Sequence, residues 1–280
     1  MILVIGSTGH VGKELVPQLL QSGQHLRVLV RDEQKVAYLN PSIERAVGNL
    51  NDPDSLANAM RGVEQVFLVT LTTQQDVNVL EAAKRTGVKH IVKLSTMEAI
   101  DHKIAIGKWS FEREELIRAS GLDWTFLRPG MFMSNSIDWW AASIKSQGAV
   151  YFPGGKAKVA PVDSRDIAAV AALALTRQGH SSQIYELTGS ELLSVKEMVN
   201  IISHALGKPL RYMDIPPFVA KFGMSKSGMD KRMVNALMEM LKLLRRNEGA
   251  GVTDTIRRLT GRPPRTFEEW CRENVNAFRA

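Results

Sequence analysis

The sequence predicts an α/β fold, a doubly wound parallel sheet followed by a smaller, mostly helical C-terminal lobe suited to receive a substrate. Three observations predict it. Short apolar strands alternate with helical stretches through the first half. A glycine-rich turn stands between the first strand and the first helix, and beyond Arg128-Pro129-Gly130 the alternation gives way to a mainly helical pattern.

In chain order, strands are predicted at 2–5, 26–30, 43–47, 65–69, 90–94 and 124–127, with helices near 11–21, 53–60, 74–86 and 109–120. Asp52 before Pro53 reads as a helix cap with proline in the first turn. Gly23, Gly62, Gly87 and Gly121 each stand where a helix stops. Further elements are expected at 136–146, 158–161, 164–175, 184–187, 194–206 and 210–214. Ser194 with Glu197, and Thr266 with Glu269, have capping-box spacing. Residues 1–130 then form the sheet domain, completed by parts of 155–190, and 131–280 form mainly the substrate lobe.

Composition narrows the function. With 280 residues, 44% hydrophobic and 23% charged, the chain can bury a core without staples. The one cysteine, Cys271, lies among Glu268, Glu269 and Glu273, which excludes an internal disulfide and disfavours a reactive thiolate. No targeting segment is read before Gly6, and the longest apolar run, 167–175, falls far short of the ~20 residues a span needs, so a cytoplasmic location off the membrane is expected. The net charge of +7 concentrates at 242–246 and at Arg257, Arg258, Arg262 and Arg265. No nucleic-acid motif accompanies it, so a basic solvated surface that attracts an anionic cofactor is the reading. The six histidines, His10, His25, His90, His102, His180 and His204, have no metal-ligand spacing, and no metal is expected. Asp163 and Asp166 read as a helix cap and a first-turn acid.

Gly6-Ser7-Thr8-Gly9-His10-Val11-Gly12 follows a strand and opens a helix. Glycine is needed there so that the chain turns sharply, its N–H groups approach a pyrophosphate and the helix packs closely on the sheet. This is a Rossmann-type dinucleotide site. The second strand ends in Arg31-Asp32; the arginine suits a 2′-phosphate, whereas the acid one place later suits a ribose hydroxyl. NADP(H) is preferred, with NAD(H) as the alternative. By position, Asn49 and Leu50 flank the adenine, and Val69 and Thr70 lie along the cofactor path. Ser95 and Thr96 end the fifth strand, where Ser95 would position the reacting ring.

The glycine turn, Gly48-Asn49-Leu50, the block from Trp109 to Asn135 with its core Glu114-Glu115-Leu116-Ile117-Arg118-Ala119-Ser120-Gly121-Leu122-Asp123-Trp124-Thr125-Phe126-Leu127-Arg128-Pro129-Gly130, and the later segments 162–168, 185–189 and 260–267 together define a pattern. It resembles the atypical short-chain dehydrogenase/reductases, in the NmrA-like branch that includes NADPH-dependent quinone, azo-dye and triphenylmethane reductases. The resemblance covers almost the whole chain. It implies hydride transfer from NADPH to an electrophilic, planar aromatic acceptor, a quinone or azo compound, by a monomer or homodimer. Two alternatives stay open: a non-enzymatic redox sensor that binds the cofactor and signals, and a reductase dedicated to one biosynthetic intermediate.

One departure matters. The Tyr-x-x-x-Lys pair of typical family dehydrogenases falls on Ile106 and Ser110, and Tyr38, Tyr151, Tyr185 and Tyr212 all lie elsewhere. Unactivated alcohols are therefore poor substrates, whereas a reduced quinone is a stabilised phenolate that water can protonate. Lys103 and Lys108, preceded by His102, are the candidate ribose anchors or proton donors. On the substrate side, Met131 and Phe132 follow the sixth strand. Met229, Met233, Leu237, Met240 and Leu244 recur at helical spacing, a stripe that reads either as core or as an adaptable pocket wall hinged at Gly223 and Gly228. Trp139 and Trp140 would add aromatic surface.

Overall fold

A computed structural model of the chain describes residues 1–100, 103–248 and 251–279, with the backbone alone at Lys35. Its first elements are β1 (Ile2–Ile5), α1 (Gly12–Gln21), β2 (Leu26–Val30), β3 (Glu44–Val47), α2 (Pro53–Ala59) and β4 (Gln65–Leu68). There follow α3 (Thr73–Thr86), β5 (His90–Leu94), α4 (Ala105–Arg118), β6 (Asp123–Pro129), α5 (Asn135–Gln147), β7 (Ala149–Tyr151) and β8 (Lys158–Val159). Then come α6 (Ser164–Thr176), β9 (Gln183–Leu187), β10 (Leu193–Ser194), α7 (Val195–Leu206) and β11 (Arg211–Met213). The last are α8 (Pro217–Lys226), α9 (Lys231–Arg245), α10 (Thr255–Thr260) and α11 (Phe267–Asn274).

The chain divides into two compact units. The first takes in Met1–Ile100, Trp109–Pro129 and Ser164–Glu186. The second takes in the described residues of 103–108, 130–163 and 187–279.

In the first unit, a seven-stranded sheet has the order β3-β2-β1-β4-β5-β6-β9. The pairs from β3 to β6 are parallel. Parallel strands covered on both faces need unbroken apolar runs, and Ile2, Leu3, Val4 and Ile5 are all buried. One face is covered by α2, α3 and α4, where Leu56, Met60, Val79, Ala83 and Ile117 pack on Leu3, Val66 and Phe126. On the other face α1 and α6 pack together and α6 reaches β4, β5 and β6. Wrapping helices on both faces is what makes the sheet doubly wound.

The second unit has its own core of Trp140, Met198, Val199, Phe267, Trp270 and Cys271. It carries two small sheets, β10 antiparallel to β8 and β11 parallel to β7. On α7, Val195, Met198, Val199 and Ile202 are buried at helical spacing, and both expected capping boxes, at Ser194 and Thr266, are present. Among the described residues, no helix is long and apolar enough to cross a membrane.

Several readings of the sequence need correction. Helix α4 begins at Ala105 rather than 109, because the Ala105 N–H is met at 2.9 Å by the carboxylate of Glu239, a residue 134 positions away on α9. Lys108 is therefore a first-turn helix residue, not part of a loop. Trp140 is core rather than pocket surface; only Trp139 is exposed, stacked on Phe152 with ring centroids 5.8 Å apart.

The methionine stripe is also displaced. Met229 precedes α9, whose cap is Asp230, so it cannot share a helical face. Met229 and Met233 are 38% and 41% exposed. The buried face instead carries Val234 and Leu241, with Leu237 and Leu244 half-buried beside them. We expect Leu241→Ala to lower the free energy of unfolding by about 2–5 kcal/mol in urea titrations. Met233→Ser should stay within about 0.5 kcal/mol; equal losses would contradict this assignment of the buried face.

Candidate functional site

The order of the sheet reverses between β1 and β4, and ligands of open α/β sheets bind outside the carboxyl ends of the strands at such a point. The glycine turn leaves β1 there. Gly6 has φ +87, and a Cβ on it would lie 3.0 Å from Cβ of Val69, the residue after β4. A Cβ on Gly12 would lie 2.1 Å from the carbonyl oxygen of Gly6. The Gly9 N–H donates to that same carbonyl at 3.0 Å. Helix α1 therefore starts pressed against the turn, with Ser7 and Val11 buried beneath it and Thr8, Gly9 and His10 exposed.

The start of α1 has a further property. Helices α2, α3, α7, α9 and α11 are capped by the side chains of Asp52, Thr72, Ser194, Asp230 and Thr266, whereas Val11 offers α1 no side-chain cap. The first N–H groups of a helix have no internal acceptor, so this end, with room that only glycine leaves, suits a phosphate. The residues present thus fit the pyrophosphate of a dinucleotide.

At the end of β2, Asp32 Oδ1 accepts the Gln34 N–H at 3.0 Å and caps a short 3-10 turn. The acid is thereby turned to a local task. Arg31 is exposed and has no ion-pair partner among the described residues. After β3, the Asn49 N–H donates to Ser55 Oγ at 3.0 Å, and Asn49 Oδ1 accepts the Asn51 N–H at 3.0 Å. Leu50 O accepts from Asn78 Nδ2 at 2.9 Å, which ties this loop to α3.

A cleft of about 210 Å³ in the first unit is lined by Val69, Thr70, Lys93, Leu94, Ser95, Ser110 and Arg113. It brings together Val69, Thr70 and Ser95 as the sequence placed them. Ser95 Oγ donates to Glu114 Oε1 at 2.6 Å. Glu114 is fully buried and is also held by Arg128, through Nε at 2.9 Å and Nη2 at 2.6 Å, and by Arg118 at 3.1 Å. With its proton committed, the Ser95 hydroxyl presents lone pairs to the cleft and accepts from a ligand rather than donating.

The opposite wall carries a charge cluster that sequence reasoning missed. Lys93 is 2% exposed; its ammonium donates to Thr70 Oγ1 at 2.6 Å and lies 3.2 Å from Asp76 Oδ1. Thr70 donates to Asp76 at 2.5 Å. Arg113 pairs with Asp76 Oδ2 and donates to both oxygens of Thr70. Burial pushes Lys93 down to about 8, against the attraction of Asp76 and with the help of Arg113. The sequence did hold a signal: a lysine in the run Ile91-Val92-Lys93-Leu94, and an aspartate at 76 on the covered side of a helix.

Most other candidates belong to the second unit. Lys103 and Lys108 are exposed and group with the second unit, and neither lines the cleft. His102 lies outside the described residues. Ile106 is half-buried, and Ser110 is in the cleft wall, so neither position carries a phenol or an amine. Met131 and Phe132 are half-buried in the second unit, where Phe132 bridges to Val162 and Val162 N donates to Met131 O at 2.9 Å. Asp163 is buried and paired with Arg265 at 3.0 Å. Burial, with Glu268 nearby, pushes the Cys271 thiol up and makes it unreactive. Among the described residues no group of acids, histidines or cysteine is arranged to hold a metal.

Comparison with known proteins places this geometry in context. Residues 1–271 match the NmrA-like family. A NAD(P)H azoreductase of Xenophilus azovorans is 40% identical over 286 aligned positions, covering 100% of both chains. The (4-alkanoyl-5-oxo-2,5-dihydrofuran-3-yl)methyl phosphate reductase of Streptomyces griseus is 38% identical over 282 positions, covering 99% of each. The crystal structure of an Escherichia coli NADPH-dependent quinone oxidoreductase complexed with NADPH superposes with a TM-score of 0.85 at 24% identity, covering 98% of this chain and 99% of that one. At that identity the superposition speaks for the fold.

The cluster around Lys93 is directly measurable. In NMR titrations of labelled lysine side chains, Lys93 should lose its proton near pH 8, below the range of an ordinary lysine. Asp76→Asn removes the attraction that favours the ammonium and should move Lys93 lower still. Titration of Lys93 together with the surface lysines would contradict the cluster as described.

Proposed function

We propose that this chain, which belongs to the NmrA-like family, is an NADPH-dependent reductase that passes hydride to an electrophilic aromatic acceptor, a quinone or azo compound. The observation that carries the reading is the continuity of its parts. The uncapped glycine turn after β1, Val69 after β4, and Ser95 after β5 stand at the carboxyl ends of adjacent strands, on one path along the sheet. The azoreductase relative, alike from end to end, supports the same reading.

The chain's own residues divide the work. Backbone N–H groups between Ser7 and Gly12 would receive the pyrophosphate, and Arg31 would meet the 2′-phosphate. Asn49 and Leu50, fixed by Ser55 and Asn78, would bound the adenine side. Val69, Thr70 and Ser95 would bound the reacting end, where the Ser95 lone pairs can accept from a carboxamide or ribose group. When bound, NADPH supplies the hydride. With Ile106 and Ser110 at the positions of the usual tyrosine and lysine, the acceptor must be one whose reduced form is a stabilised anion. Quinones and azo compounds meet that condition; simple ketones do not. The reading assigns no step to Lys103, Lys108, Met131, Phe132 or Met229.

Anaerobic mixing with NADPH and a panel of quinones, azo dyes and unsaturated lactones, followed at the nicotinamide absorbance, tests this. We expect acceptor-dependent oxidation of NADPH, and no NADP-dependent oxidation of simple secondary alcohols. Tight NADPH binding without turnover on any acceptor would favour a redox sensor instead. Turnover of the lactones alone would favour a reductase dedicated to one intermediate, the class to which the Streptomyces griseus relative belongs by its name.

Cofactor choice supplies a second test. A hydrogen bond to a charged group contributes ~1.5–3 kcal/mol, so Arg31→Ala should weaken NADPH binding by about tenfold or more. NADH binding should hardly change in calorimetric titrations. Equal losses for both cofactors would show that Arg31 does not read the 2′-phosphate.

A further inference from the structure

We infer that Lys93 and Arg113 form an anion-receiving site in the cleft wall, which takes the acceptor oxygen or nitrogen on which negative charge gathers when hydride is added. The inference rests on the reductase reading above and names the residues that would meet the stabilised anion which that reading requires.

The charges around the cleft do not balance. Among the described residues Asp76 is the carboxylate that pairs with this wall, and it faces two cations, the Lys93 ammonium and the Arg113 guanidinium. Glu114 does not correct the excess, because Arg128 engages both of its oxygens and Arg118 adds a third contact. One positive charge is therefore left over at this wall, where the Lys93 side chain is buried. A buried, uncompensated cation is costly, and a cleft beside it offers an anion the same favourable place that the structure does not fill.

Donor capacity points the same way. A lysine ammonium carries three N–H donors and a guanidinium five. Thr70 and Asp76 take up Lys93 in two directions, and Arg113 uses Nε and Nη2. Among the described residues, Arg113 Nη1 and the Ser110 hydroxyl have no hydrogen-bond partner, and both residues line the cleft with Lys93. Thr70 cannot serve as a donor to a ligand, since its proton goes to Asp76. The spare donors thus come from groups that are charged or free to rotate, and they converge on one space. Preorganised donors aimed at developing charge in a dry site are the usual means of stabilising such a transition state.

The step balances as follows. NADPH would supply the hydride and become NADP+ as its C4–H bond breaks; a C–H or N–H bond would form on the acceptor, whose π electrons would move onto its oxygen or second nitrogen. Lys93 then breaks an N–H bond to give that atom a proton, and the neutral amine regains one from water. An ammonium held near pH 8 is a stronger acid than an ordinary lysine and can give its proton to a phenolate.

A test that needs no turnover uses 4-nitrophenol, which absorbs in the visible as phenolate only, and the full chain saturated with NADP+. The phenolate should bind at least about tenfold more tightly than the neutral phenol, seen as a fall of about one unit in the ionisation midpoint of the bound probe. Lys93→Met should remove that preference while nitrobenzene, its uncharged counterpart, binds within about twofold of the unaltered protein. Should that variant fail to fold, the unaltered protein gives the same answer. Phenolate affinity should fall severalfold as pH rises through about 8, where Lys93 loses its charge in the presence of Asp76 on α3 and of Arg113 and Glu114 on α4. No binding of the probe, equal affinity for its two forms, a preference unchanged in Lys93→Met, or phenolate affinity flat with pH would each overturn the inference. An inert protein that still prefers the phenolate would overturn the reductase reading and leave this site standing.

Discussion

Gly12 is seated so close to the carbonyl oxygen of Gly6 that a single methyl group would come within 2.1 Å of it. That contact decides where α1 begins. Because the helix starts inside the turn, its N–H groups face the crevice at the point where the sheet order reverses, and no side chain caps them. Gly6 fixes the other boundary, pressed against Val69 at the end of the neighbouring strand. The turn is consequently built between β1 and β4 rather than laid over them. On the proposed reading this turn is the anion-receiving end of the fold, a product of packing, with Arg31, Asn49 and Leu50 at its rim.

Beyond the turn, two buried carboxylates organise the carboxyl edge of the sheet. Glu114 on α4 draws in Arg128 from β6 and orients Ser95 after β5. Asp76 on α3 draws in Lys93 from β5 and Arg113 from α4. Removing one partner of such a buried pair typically costs 3–5 kcal/mol or so, about as much as a large core truncation. These clusters therefore lock α3 and α4 to the strand ends. They also set which groups can donate into the cleft: the Ser95 and Thr70 hydroxyls already donate hydrogen bonds to carboxylates, which leaves Lys93, Arg113 and Ser110 as the donors.

Much of this was legible in the sequence, for identifiable reasons. Strands β1, β2 and β5 coincide with their predicted bounds because parallel strands covered on both faces are mainly apolar runs. The glycine turn and the capping boxes at Ser194 and Thr266 are local patterns. What stayed hidden depends on distant partners. The start of α4 is set by Glu239, far along the chain, and the task of Asp32 by a turn that its neighbours form. Lys93 stands as a single charge in the run of β5, and its meaning requires Asp76 and Arg113 from two different helices. The methionine spacing misled because Met229 lies outside α9, and the buried face of that helix is turned toward Val234 and Leu241.

On the proposed function, one ligand lies along the carboxyl edge from the glycine turn past Val69 to Ser95. A crystal structure of the chain with NADPH would show it. We expect the pyrophosphate on the backbone N–H groups of residues 7–12, the 2′-phosphate on Arg31, and the nicotinamide beside Ser95. A pyrophosphate seated away from the turn, or a nicotinamide remote from the Ser95 cleft, would contradict it.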